Sequence, residues 1–144
     1  ETCGYKLAEL YDVLNKVEAK STTVVIDACF SGSSFAGELI VDASPINITV
    51  DRETLRTDNF AIFTSASGQQ ISSWYTEKKH SLFTYYFLKA LQGEADNNND
   101  NQFTRGEIHD YLYDHVEYDA RLLNREQTPQ LDTNDKTKIL ARIQ

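Results

Sequence analysis

One short segment constrains this chain more than any other, because a β-branched run leads almost directly into turn-forming residues. The run is Val24-Val25-Ile26, and Ser31-Gly32-Ser33-Ser34 follows it closely. Short apolar runs of this kind are typical of strands that are buried on both faces of a parallel sheet. We therefore predict a strand over residues 22–28. This strand would place Asp27 and Cys29 at the carboxyl edge of the sheet. A buried strand normally has another Val or Ile at the position of Asp27, so the acid there needs an explanation.

The rest of the chain has the alternating pattern of an α/β fold. Apolar residues that recur every three or four positions predict three helices, over residues 5–20, 81–93 and 105–121. Ser81 is placed to cap the second helix and Gly93 to end it. Short apolar runs predict two more strands, over residues 60–66 and 138–143. Polar stretches predict loops, over residues 31–59, 67–79 and 127–135.

Length and charge narrow the possible functions. The 144 residues suffice for one domain with a core, and the sequence lacks the run of about 18 apolar residues that a membrane span needs. The net charge is −8, and residues 94–119 contain eight acids and one base, so nucleic acid is not an expected partner. We expect a soluble cytoplasmic protein with reduced thiols at Cys3 and Cys29, away from any membrane. The sequence opens on Glu1, and we expect further chain upstream.

Cys29 has two interpretations. A lone cysteine at the end of a strand is most often a small buried hydrophobe. The small residues that follow it favour a different role, because a flexible loop exposes the thiol and lets backbone N–H groups point toward an incoming carbonyl oxygen. A cysteine in such a place is suited to acyl transfer.

Two motifs resemble the caspase-like cysteine peptidases. Ile26-Asp27-Ala28-Cys29-Phe30-Ser31-Gly32 is similar to the nucleophile segment of the metacaspases and their bacterial relatives, which form one clan with caspases and paracaspases. The stretch from Ser73-Trp74-Tyr75 to Thr84 is similar to the small-subunit region of caspases. The resemblance implies a three-layer αβα sandwich with a mostly parallel sheet. It divides the chain into a nucleophile part (residues 1–30), a linker-like loop (31–59) and a small-subunit part (60–144).

The resemblance also implies that the catalytic histidine lies outside this chain. In caspases that histidine precedes the cysteine by about fifty residues. His80, His109 and His115 all follow Cys29, and none matches the family position. We expect the histidine, together with the first strands of the sheet, on an upstream segment or on another chain. That segment and a peptide substrate are the expected partners.

Mechanism and specificity follow from the same resemblance. Cys29 would be the nucleophile, and Asp27 would bind an Arg or Lys side chain before the cut. Ser73, Trp74 and Tyr75 would line the substrate groove, and Tyr75 replaces the arginine that aspartate-specific caspases use. Two alternatives stay open. One is that Asp27 only caps a backbone N–H, and the other is that Trp74 is a core residue. A further alternative is a non-catalytic, caspase-like interaction module.

Self-processing is a related hypothesis. Arg52 and Arg56 lie in the segment that corresponds to the linker between caspase subunits. An enzyme that cuts after arginine would be able to cut its own chain there. The alternative is that surface loops commonly contain arginine.

The catalytic chemistry needs no cofactor, but residues 96–107 follow the spacing of an EF-hand calcium loop. The candidate ligands are Asp96, Asn98, Asp100, the carbonyl of Gln102, and Glu107. Asn101 replaces the usual glycine at the sixth position, and asparagine adopts left-handed backbone geometry more readily than most residues. The alternative is an Asx-rich turn between two helices that binds no metal.

Overall fold

The structure is a computed structural model that describes residues 7–28, 59–67 and 70–143. Cys3, Cys29, Arg52 and Arg56 lie outside the described residues. The reactive thiol, the disulfide state and the self-processing sites therefore stay predictions from the sequence.

A mixed three-stranded sheet forms the centre of the described fold, in the order β1-β2-β6. Its strands are β1 (Thr22–Ile26), β2 (Phe60–Thr64) and β6 (Gln130–Thr133). β1 and β2 are parallel, and β2 and β6 are antiparallel. The prediction of a loop over residues 127–135 is wrong at β6. Its four residues include one strongly apolar side chain, Leu131, so pairing with β2 rather than an apolar run of its own defines the strand.

The two parallel strands differ in burial. Phe60, Ala61, Ile62 and Phe63 of β2 are buried, as predicted for a core strand. β1 alternates between half-buried and exposed residues, and Val25 is 42 % exposed, so the prediction of burial on both faces is wrong for the described structure. The physical reason is that β1 is one of the two edge strands of the described sheet, whereas β2 is its central strand. It also ends at Ile26, two residues before the predicted end.

Three helices correspond to the three predicted ones. α1 (Leu7–Asn15) ends five residues before its predicted end, whereas α3 (Arg105–Leu122) closely matches its prediction. α2 (Leu82–Lys89) begins after the predicted cap, where the Ser81 hydroxyl accepts a hydrogen bond from the Thr84 backbone N–H. A wider π-helical turn (Ala90–Glu94) follows α2, and Gly93 leaves helical geometry there with φ of 119°.

Short elements occupy the remaining turns. β3 (Trp74–Tyr75) and β4 (His80–Ser81) pair antiparallel around a 3₁₀ turn (Thr76–Lys78), so the prediction of a loop over residues 67–79 is wrong for residues 74–78. β5 (Gln102–Thr104) pairs with β7 (Ile139–Arg142), which confirms the predicted last strand.

The main core lies between β2 and the helices α2 and α3. Ala61 and Phe63 belong to the same buried cluster as residues of α2 and α3. Phe60 and Ile62 alternate to the other face of the sheet. Tyr11 of α1 is buried, and its pKa is raised first by burial and then by the carboxylate of Asp132, which pairs with Ile62 in the sheet. Helices therefore lie on both faces, as in an α/β sandwich.

Arg105 ties together the amino edge of the parallel strands. Its side chain is the largest of those that are almost fully buried, with 1 % exposure. The guanidinium donates hydrogen bonds to five groups, which are Ser21 Oγ, the carbonyl oxygens of Asn59, Phe60 and Asp135, and Thr133 Oγ1. These groups lie at the beginning of β1 and β2 and at the end of β6. Asp27 lies at the opposite, carboxyl edge of the sheet.

Candidate active site

Asp27 lies directly after β1 at the carboxyl edge of the sheet, with an exposed side chain. Three hydroxyl groups donate hydrogen bonds to its carboxylate. Ser72 Oγ binds Oδ1 at 2.6 Å, and Thr84 Oγ1 binds Oδ2 at 2.5 Å. The hydroxyl of Ser81 also binds Oδ2. The alternative that Asp27 caps a backbone N–H is not what the described residues show, since its partners there are side-chain hydroxyls.

The beginning of α2 contributes two of these three donors. Ser81 is the cap of α2 and Thr84 lies in its first turn. The Ser81 hydroxyl accepts a hydrogen bond from the Thr84 backbone N–H at 3.1 Å and donates one to Asp27. One rotamer of Ser81 makes both hydrogen bonds, so each of them stabilises that rotamer. The partial positive charge at a helix amino terminus attracts an anion placed there. The helix therefore holds the Asp27 carboxylate in one position and orientation.

Ser73, predicted to line the groove, is wholly buried. Its carbonyl oxygen accepts a hydrogen bond from the Leu82 N–H at 2.8 Å, and its own N–H donates to Gln127 Oε1 at 2.7 Å. The Ser73 hydroxyl has no hydrogen-bond partner among the described residues. The neighbouring residue Ser72, rather than Ser73, contacts the carboxylate.

Two buried or half-buried amides hold the segment before β3. Gln127 Nε2 donates to the carbonyl oxygen of Ser65 at 3.0 Å, so this amide joins the end of β2 to Ser73. Gln70 Oε1 accepts from the backbone N–H groups of Ser67 and Thr128. Together the two glutamines position residues 70–73 against the carboxyl edge of the sheet.

Trp74 and Tyr75 follow the buried Ser73. Trp74 is 44 % exposed, which excludes the alternative that it is a core residue. The Tyr75 ring packs edge-on against the ring of Tyr85, with 5.3 Å between centroids. The exposed Trp74 pairs with Ser81 across β3 and β4, and the Ser81 hydroxyl donates to Asp27.

The three histidines lie on other elements. His80 is exposed in β4, and His109 Nδ1 lies 3.2 Å from the Asp110 carboxylate on α3. The His115 ring packs on the rings of Tyr86 and Tyr111. His80 pairs with Tyr75 across β3 and β4. Among the described residues, no histidine is a hydrogen-bond partner of Asp27.

The predicted calcium loop has an ordered set of internal hydrogen bonds. The Asp96 carboxylate accepts from the N–H groups of Asp100 and Asn101, and the Asp100 carboxylate accepts from that of Gln102. Asn101 adopts the left-handed region with φ of 59°, as its sixth position in the loop requires.

Glu107, the predicted twelfth ligand, has a structural role in α3. Its Oε2 accepts hydrogen bonds from the N–H and hydroxyl of Thr104, which forms a capping box. Within the described residues, no group of three or more His, Cys, Asp or Glu is arranged to hold a metal. Calcium binding therefore stays a prediction.

The geometry defines an α/β protein with an acidic site at the carboxyl edge of its sheet. The chain belongs to the caspase-domain family, whose model, described as Caspase domain (Peptidase_C14), matches residues 6–141. The predicted family and the α/β caspase-like fold are thereby confirmed, and the family is one of cysteine peptidases. No curated protein and no solved structure gives a significant match. Among the described helices, none is long and apolar enough to cross a membrane.

Sequence reasoning missed several residues that build this site. Ser72, Thr84 and Gln127 had no predicted role, and Ser81 was predicted only as a helix cap. Single polar residues in loops and first turns give no sequence signal of a partner 45 to 57 positions away. Only the fold brings them to Asp27 and Ser73.

Proposed function

We propose that this protein is a cysteine endopeptidase that cuts peptide bonds after arginine or lysine. The observation that carries the proposal is the exposed Asp27 carboxylate, which three hydroxyls hold in place. One of those hydroxyls belongs to Ser81, which pairs with the exposed Trp74 across β3 and β4. A fixed, exposed carboxylate attracts a cationic side chain and disfavours an acidic one. Asp27 also lies only two residues before the predicted nucleophile Cys29.

In this mechanism the thiolate of Cys29 attacks the carbonyl carbon of the bond after the basic residue. The C–N bond breaks, the leaving amine takes a proton from the catalytic histidine, and a thioester forms. Water then attacks the thioester and regenerates the thiol. Backbone N–H groups, including that of Cys29, stabilise the oxyanion.

The histidine comes from an upstream segment or from another chain, which adds strands beside β1. Two features of β1 support this part of the proposal. Among the described strands it pairs only with β2, and its Val25 is 42 % exposed. A further strand beside β1 would pair its free backbone groups and cover that side chain.

Self-processing at Arg52 or Arg56 follows from the same specificity. Intact-mass analysis of the active protein tests it, with the Cys29→Ala variant as the control. We expect two fragments whose masses place the cut after one of these arginines. A chain that stays whole while peptide substrate is cut would rule it out.

Calcium binding by residues 96–107 is a separate proposal. It is supported by the left-handed Asn101 and by the backbone N–H groups that orient the Asp96 and Asp100 carboxylates. The donors are all oxygen atoms, as calcium prefers. Calcium binding by this loop and the peptidase activity are independent proposals, and each has its own test.

Hydrolysis of matched fluorogenic peptides that end in Arg, Lys or Asp tests the proposed activity in the full-length protein. We expect cleavage after Arg and Lys, loss in Cys29→Ala, and a reduction of about a hundredfold or more in Asp27→Asn, because the neutral amide removes a charged partner. Asp114→Asn, an exposed acid on α3, is the matched control and should behave as wild type.

Two results would contradict the proposal. Cleavage after Asp would overturn the role of Asp27. Absence of cleavage in the full-length protein, with the thiol reduced, would favour the non-catalytic interaction module.

A further inference from the structure

We propose that Thr84 determines how a basic side chain binds Asp27, and thereby sets the balance between arginine and lysine substrates. This inference rests on the proposed function, because it concerns the residue before the cut. Thr84 acts as a positioning and specificity-determining residue through Asp27. Its hydroxyl, on the first turn of α2, donates to Asp27 Oδ2.

The argument begins with the acceptor positions of the carboxylate. An ionised carboxylate has about four of them, two on each oxygen. Ser81 and Thr84 both donate to Oδ2, and Ser72 donates to Oδ1. The described residues therefore fill both positions on Oδ2 and leave one on Oδ1.

This occupancy limits what a substrate cation is able to do. Arginine binds carboxylates better than lysine because its planar guanidinium places two parallel N–H groups on the two oxygens. That two-oxygen contact needs one position on each oxygen. With Oδ2 filled, a guanidinium and an ammonium each reach only Oδ1, through a single N–H. Arginine then has little advantage over lysine.

Thr84 is the better of the two Oδ2 donors to remove. The Ser81 hydroxyl also caps α2, so its loss would weaken the helix as well as free the oxygen. The Thr84 backbone N–H would keep its hydrogen bond to Ser81 in Thr84→Val, and only the hydroxyl would be lost. Ser72 provides a matched comparison, because its removal frees a position on the other oxygen.

The experiment measures kcat/KM of the full-length protein for two peptides that differ only in Arg or Lys before the cut. Both peptides are assayed on the same preparation, so a partly unfolded variant changes both rates and leaves their ratio unchanged. In wild type we expect the two values to lie within about fivefold of each other, since each cation makes one contact. Thr84→Val should raise the Arg-to-Lys ratio about tenfold by opening Oδ2 to the guanidinium.

Three further variants complete the test. Thr84→Ala also removes the hydroxyl and should repeat the shift, and it replaces Thr84→Val if that variant does not fold. Thr84→Ser keeps the hydroxyl and should keep the wild-type ratio. Ser72→Ala should change the ratio by no more than about twofold, because a two-oxygen contact still finds Oδ2 filled.

The outcomes separate this inference from the activity on which it rests. An unchanged ratio in Thr84→Val and Thr84→Ala, or an equal shift in Ser72→Ala, would overturn the inference while the peptidase stands. A wild-type preference for Arg of a hundredfold or more would also overturn it. Cleavage of neither peptide by wild type would overturn both.

Discussion

The side-chain oxygen of Gln127 accepts a hydrogen bond from the backbone N–H of Ser73 at 2.7 Å, across 54 positions of the chain. The same amide donates to the carbonyl oxygen of Ser65, whose own N–H binds the carbonyl oxygen of Ile26. One buried side chain thus connects the end of β1, the end of β2 and the segment that presents Ser72 to Asp27.

The first prediction concerns this amide. Gln127→Ala should lower the free energy of unfolding by about 3 kcal/mol, because it leaves one buried N–H and one buried carbonyl without a partner. Urea unfolding of the full-length protein measures the change. Gln130→Ala is the control, since Gln130 is exposed and its amide, within the described part of the chain, donates to the carbonyl oxygens of the two preceding residues. Equal effects of the two substitutions would contradict the structural role of Gln127.

The second prediction concerns the buried cation. Arg105→Ala should lower the free energy of unfolding by at least about 3 kcal/mol, because five hydrogen bonds of the buried guanidinium are lost together. Arg105→Lys should recover only part of this, since an ammonium cannot reproduce the planar fork. Thermal and urea unfolding measure the stability, which should fall from wild type to Arg105→Lys and again to Arg105→Ala. Arg125→Ala, at an exposed position after α3, should change stability by less than about 0.5 kcal/mol.

The third prediction is a pH dependence. Tyr86 donates to Asp119 and Tyr111 to Glu94, each at 2.6 Å. Burial first, and then these bonds, raise the pKa of both tyrosines above the usual value. An unfolded tyrosine ionises near pH ~10, so alkaline pH favours the unfolded chain. The stability that these two tyrosines contribute is fully present below pH ~10 and is lost as the pH rises above that value.

Urea midpoints at pH 8 and pH 11 test this pH dependence. The fall between the two values should be smaller in Tyr86→Phe/Tyr111→Phe than in wild type, because the ionisable hydroxyls are gone. Tyr118→Phe, at a side chain that is 65 % exposed, should follow wild type. A double variant that falls as steeply as wild type would show that other groups govern the alkaline loss.

The fourth prediction separates metal binding from helix capping. Glu107→Gln should weaken calcium binding about tenfold or more, because a neutral amide cannot replace the bidentate carboxylate. The capping box tolerates glutamine, so stability in chelator should change little. Calorimetric titration of the full-length protein with calcium provides the measurement, with Asp114→Asn as control. Equal affinity in wild type and Glu107→Gln, or no binding by wild type, would dismiss the calcium loop.

Local patterns account for the elements that were predicted correctly. The inward positions of α3, which include Ile108, Leu112 and Val116, follow from the helical period, and all three are buried. Ser81 caps α2 as its hydroxyl predicts, and β2 is a core strand as its apolar run predicts. Each signal lies within a few residues of the structure that it specifies, so no knowledge of the fold is needed.

The errors occurred where pairing, rather than composition, defines an element. β6 and β4 contain mostly polar residues and β3 has only two residues, and each exists because a partner strand lies beside it. The burial of Arg105 was likewise not predicted from the sequence. Its sequence context is acidic and polar, while the carbonyl groups that surround it come from distant segments.

The sequence by itself determined the α/β class, the helices and core strands, the caspase-like motifs and the candidate residues Asp27 and Cys29. These features depend on spacing and on residue type, which a linear chain displays directly. The tertiary structure alone decided which hydroxyls hold Asp27, why Ser72 rather than Ser73 contacts it, and how Gln127 positions both. Those contacts join residues about fifty positions apart, and only the packing of α2 and the sheet brings them within hydrogen-bond distance.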